Sequence, residues 1–71
     1  MTNSLKLRAA ILERGFTQEQ LAEQLGMTIA TFNYKVNNKR EFKASEIKKL
    51  AESLCLTTDE VNAIFFANEV E

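Results

Sequence analysis

The chain has 71 residues, 27% of them charged and 45% hydrophobic, with a formal net charge of −1, which sets the scale at one domain around one modest core. It holds no proline, no histidine, two glycines and one cysteine; this excludes an internal disulfide, a His-ligated metal and imidazole catalysis, and argues against a turn-rich all-β chain. No run approaches the roughly 18 apolar residues of a membrane span, and the N-terminus lacks the charged-then-apolar pattern of a signal peptide, so a cytoplasmic protein is expected.

A first helix is expected from about Ser4 to Arg14, capped by Asn3 or Ser4. Leu7, Ala10, Ile11 and Arg14 recur in it at helical spacing, and Gly15 offers the left-handed residue that ends a helix cheaply. The second helix has the clearest punctuation. Thr17 with Gln20 three residues on forms a capping box, and Gly26 is the stop. Leu21, Ala22 and Leu25 make its apolar stripe, opposite Gln18, Glu19, Glu23 and Gln24.

A third helix follows almost at once, capped by Thr28 and running from Ile29 to about Asn37. At about 100° per residue, Ile29, Phe32 and Val36 fall in one sector, expected to face the core. Ala30, Asn33, Tyr34 and Asn37 fall in another, expected to face outward. A fourth helix over roughly Ala44 to Leu54 buries Ile47, Leu50, Ala51 and Leu54. The fifth starts at a second capping box, Thr57 with Glu60, and carries Val61, Ile64 and Phe65 on one side. Cys55, between Leu54 and Leu56, is expected to be a buried thiol. Phe65 and Phe66 are adjacent, so one helical face cannot bury both. Either Phe66 wraps under the domain, or the pair offers an anchor to another chain, alone or with a tail over 66–71.

The charge is unevenly spread. From Lys35 to Lys49 six basic residues stand against two acidic ones, and from Thr57 onward there are four acidic residues and no basic ones. A basic middle suits a nucleic-acid partner better than the net charge suggests.

Two short helices joined by about three residues around a glycine, spanning about 17–38, make a helix-turn-helix. Ala22 is small where the helices approach, Gly26 permits the sharp turn, and Phe32 anchors the second helix on the first. The segment TQEQLAEQLGMTIATFNYKVNNKR, followed by SEIKKLAESLCL, resembles the Cro/C1-type helix-turn-helix family of phage and bacterial regulators over roughly residues 5–66. The ending, FNYKVNNKREF and then IFFANEV, is similar to small temperate-phage regulators of Gram-positive hosts, both Cro-like proteins and modulator-of-repression antirepressors.

The resemblance implies an all-α, five-helix, phage-repressor-like DNA-binding domain over 1–71, with the third helix in the major groove and dimers reading paired half-sites. It carries base reading to Ile29, Ala30, Asn33 and Tyr34. Asn33 is the hydrogen-bonding reader among them, since an amide can pair with an adenine edge. It carries phosphate contact to Gln18, Thr28, Asn37, Asn38, Lys39 and Arg40, with Lys35 and Lys43 adding to the field. For Gln18 the alternative is a solvated polar residue, for Thr28 a cap alone, and for 37–40 a solvated loop.

Ile29 and Ala30 depart from the family, which often has glutamine or serine there. Apolar side chains touch only a thymine methyl, and an apolar tip beside Tyr34 also suits a protein surface. Two partners are therefore expected: double-stranded operator DNA, in a lysis–lysogeny switch, or a partner repressor protein whose operator binding an antirepressor would modulate. A homodimer is implied by the resemblance alone. With no glycine-rich phosphate loop and no nucleophile beside a base, neither an enzyme nor a cofactor or metal is expected.

Overall fold

The structure is a computed structural model that describes residues 1–66. Among them are five α-helices, α1 (Ser4–Glu13), α2 (Gln18–Gln24), α3 (Ile29–Val36), α4 (Ala44–Leu54) and α5 (Thr58–Val61), the last continued by a π-helical turn over Asn62–Phe66. No strand occurs among the described residues. The expected tail beyond Phe66 lies outside them.

Each boundary has a local cause. The Asn3 side chain accepts from the Lys6 N–H at 3.0 Å and opens α1. At α2 the capping box is complete: Thr17 Oγ1 accepts from the Gln20 N–H at 3.1 Å, and Gln20 Oε1 from the Thr17 N–H at 2.9 Å. Such a cap is worth about 1 kcal/mol. Gly26 sits at φ +72, a conformation open to glycine without steric cost. It turns the chain so that the Met27 N–H reaches back to the Ala22 carbonyl at 3.0 Å. Thr28 Oγ1 then accepts from the Thr31 N–H at 3.2 Å and starts α3.

The core gathers a stripe from each of α1 to α4 and from the C-terminal turn, while α5 adds only the half-buried Val61 at its edge. Leu7 and Ile11 come from α1, Leu21 and Ala22 from α2, Phe32 and Val36 from α3, Leu50 and Leu54 from α4, and Ile64 and Phe65 from the C-terminal turn. Three phenylalanines lie edge to face through its centre. Phe42, in the loop between α3 and α4, stands 5.9 Å from Phe32 and 5.7 Å from Phe65 between ring centroids. Such pairs contribute about 0.5–1.5 kcal/mol beyond burial. Phe42 joins the helix-turn-helix to the C-terminal half, and it lies in no periodic run from which its burial could be expected.

Three expectations are corrected by the structure. Ile29 is 38% exposed: it is the first residue of α3, at the open end of the helix, although its angular position lies within about 20° of the buried Val36. Cys55 is exposed. It is the left-handed cap of α4, at φ 55, and that reversal turns its side chain out while Leu54 stays buried and Leu56 is half-buried. Phe65 is a core residue, 3% exposed, and so is not available as a partner anchor, whereas Phe66 remains partly exposed. In the π turn Ile64 and Phe65 are both buried although adjacent.

Candidate nucleic-acid interface

Along α3 the side chains divide cleanly. Phe32, Lys35 and Val36 are buried. Ile29, Ala30, Asn33 and Tyr34 are exposed, so the four residues expected to read bases share the outer surface of one helix. Among the described residues neither Asn33 nor Tyr34 has a side-chain hydrogen-bond partner. Thr28, at the start of the same helix, is also exposed, but its hydroxyl is engaged with the Thr31 N–H and Thr31 Oγ1. Gln18, the first residue of α2, is half-buried.

Immediately after α3 the loop turns through Asn38, held at φ 65, a left-handed position that asparagine tolerates better than most residues. Its amide is consumed internally. Asn38 Oδ1 accepts from the Thr2 N–H at 2.9 Å, and Asn38 Nδ2 donates to the Thr2 carbonyl at 2.8 Å. Asn37 Oδ1 accepts from Arg8 Nη2, and Ser4 Oγ donates to the Val36 carbonyl. The N-terminal segment and α1 thus clamp the end of α3 and satisfy groups that a helix C-terminus otherwise leaves bare. Lys39 and Arg40 remain exposed and without a salt-bridge partner among the described residues.

Lys35 does not belong to this field. It is 6% exposed, with Nζ at 2.7 and 2.9 Å from the two carboxylate oxygens of Glu46 on α4. Glu46 Oε1 also accepts from the Lys43 N–H at 2.9 Å, capping α4. Burial pushes the Glu46 carboxyl up, but the Lys35 hydrogen bond, the Lys43 N–H and both lysine charges outweigh it and hold the group below its ordinary value. The pair ties α3 to α4. It also leaves the stretch from Lys35 to Lys49 with five exposed basic side chains, at Lys39, Arg40, Lys43, Lys48 and Lys49, against Glu41 alone.

A second pair ties the end of α1 to α4 and α5. Arg14 Nε donates to the Leu54 carbonyl at 2.7 Å and Nη2 to Glu60 Oε2 at 2.8 Å. The Glu60 carboxyl is lowered, first by the Thr57 N–H that it caps and then by Arg14. Arg14 shares the helical spacing of the α1 stripe, yet it serves as a polar strut between helices rather than as apolar packing.

Sequence reasoning missed Arg8, an exposed cation brought beside Asn37 by the fold. The two are 29 residues apart, and no local pattern marks the pairing. Among the described residues there is no cluster of metal-ligating side chains, and no helix is long and apolar enough to cross a membrane.

Two short helices joined by a tight glycine turn, the second with its outer face exposed, make a helix-turn-helix. Comparison with protein families agrees: the family described as Helix-turn-helix matches residues 7–61. The chain belongs to that family, the Cro/C1-type helix-turn-helix proteins, which are DNA-binding transcription regulators. No curated protein and no solved structure matches it.

Proposed function

We propose that this protein binds operator DNA in the lysis–lysogeny switch of a temperate phage, with α3 in the major groove. The observation that carries the reading is the outer surface of α3, where Asn33 presents an exposed amide with no partner among the described residues. An asparagine can accept from and donate to the N6 and N7 edge of adenine. Ile29 and Ala30 then touch thymine methyl groups, and Tyr34 reaches a base edge or a phosphate.

Lys39 and Arg40 contact the phosphate backbone, which sets register and supplies salt-dependent affinity without reading sequence. Gln18 and Thr28 lie at the N-terminal ends of α2 and α3, where phosphate oxygens are favoured by the unpaired backbone N–H groups. Asn37 and Asn38 act chiefly by holding the loop. The phage setting rests on the resemblance of the segments around FNYKVNNKREF and IFFANEV.

One observation favours a second reading. The exposed tip Ile29, Ala30 and Tyr34 is mostly apolar, and the net charge is −1; a basic partner repressor is matched by both. A gel-shift titration on the protein's own promoter region, with and without the repressor encoded nearby, separates the two. Tight binding by the protein alone, falling steeply with salt, supports the operator reading. Absence of binding alone, with an altered repressor–operator complex on mixing, sinks it in favour of the antirepressor.

A further inference from the structure

We propose that the outward face of α1 is a self-association surface, on which a second copy of this chain docks antiparallel about a twofold axis. Leu5, Ala9 and Leu12 stand at i, i+4 and i+7, within about 60° of one another around the helix. Leu5 is 77% and Leu12 79% exposed. Single exposed leucines are ordinary. Two of them in register, with a small residue midway, form an unpartnered helical stripe opposite the buried Leu7, Ala10 and Ile11. Beside it lies a groove of about 310 Å³ between α1 and the C-terminal turn, floored by Ala9, Ala10, Ala63 and Ile64 and rimmed in part by Lys6 and Glu13.

The charges flanking the stripe say what fits it. Lys6 and Glu13 lie on the same edge, seven residues or about 10.5 Å apart along the axis. In a twofold antiparallel pair centred near Ala9, each edge meets its own copy reversed, which brings Lys6 of one copy to Glu13 of the other, twice. Leu5 meets the second copy's Leu12, and the two Ala9 residues permit close approach. The edge is self-complementary in this orientation: a parallel twofold pair would instead bring it against the opposite edge, the one that carries Arg8. Arg8 lies on the far edge and is bonded to Asn37, and the groove opens on the Lys6–Glu13 side, so the second copy seats away from Arg8. The surface is narrow and gives a weak, reversible dimer rather than an obligate one.

The test is sedimentation equilibrium on the full chain without DNA, which keeps its outcome separate from that of the operator reading. A monomer–dimer equilibrium is expected between about 10 µM and about 1 mM. Leu12→Glu should weaken it on the order of a hundredfold, because each dimer loses two buried leucines and gains two buried charges. Circular dichroism and thermal unfolding should be unchanged, since Leu12 is 79% exposed. Lys6→Glu and Glu13→Lys should each weaken the dimer, and the double variant should restore it. A single monomeric species throughout the range, or a dimer indifferent to Leu12→Glu, overturns the proposal. So does failure of the double variant to recover association while it remains folded.

Discussion

The α3–loop region and the α4–α5 region use charge in opposite ways. In the second, two carboxylates are committed: Glu46 to Lys35 and the Lys43 N–H, Glu60 to Arg14 and the Thr57 N–H. In the first, Lys39 and Arg40 have no salt-bridge partner and Asn33 no side-chain hydrogen bond among the described residues. Lys35 and Lys39 are four residues apart, yet one is a strut and the other is a solvated charge. Charge counted along the chain does not distinguish them; only the presence of Glu46 under α3 does. The residues proposed to carry DNA binding, Asn33, Lys39 and Arg40, are ones whose polar groups are left unused among the described residues.

The largest expected effect breaks the strut. Lys35→Met leaves the half-buried Glu46 without its cation and should cost about 2–4 kcal/mol in urea unfolding. Lys35→Met with Glu46→Gln should recover much of that loss, since glutamine still accepts from the Lys43 N–H. DNA affinity per folded molecule should hardly change in either variant. A large loss of binding by a stable Lys35 variant would return Lys35 to the phosphate field.

Acid probes the same committed carboxylates. Glu46 and Glu60 have folded-state pKa values below the ordinary 4.5. Their stabilisation is therefore complete above that value and disappears as pH falls through the lowered folded values. Thermal unfolding followed from pH 6 downward should show the midpoint dropping below about pH 4.5, with a smaller drop in Lys35→Met. An undiminished drop in that variant would locate the acid sensitivity elsewhere.

On the uncommitted side, Asn33→Ala should cost about 1–3 kcal/mol of specific binding and relax preference at one base pair, with stability unchanged. Arg40→Ala should weaken all sequences alike and lower the slope of log affinity against log salt by about 1. Unchanged binding in both variants would remove α3 from the groove. The smallest effect concerns Cys55, whose left-handed backbone glycine adopts without strain. Cys55→Gly should raise stability by about 0.5–1 kcal/mol in the same unfolding assay.

Most of the fold was legible because its signals are local. Thr17 with Gln20, Thr57 with Glu60, Gly26 and the stripes at Leu21 and Phe32 each lie within a turn or two of chain. What escaped depends on contacts between distant segments. Phe42 is buried because Phe32 and Phe65 converge on it, and Asn38 is occupied because Thr2 lies 36 residues away in sequence but adjacent in space. Ile29 shows the limit of the helical wheel, which gives an angle but not whether a neighbouring helix extends far enough to cover it. The outer residues Ala30, Asn33 and Tyr34 were legible as a face by periodicity alone; the expectation that they read DNA came from the family resemblance.

The exposed cap of α4 gives the chain a practical handle. Its sulfhydryl is the sole one in the sequence and projects from a helix end rather than from the core. A nitroxide or fluorophore attached there reports from one known position without any mutation to remove competing thiols. In a twofold pair the two reporters define one separation, and in a head-to-tail array they define several. Spectroscopy on the native chain can therefore read the symmetry of any assembly, alone or on a duplex.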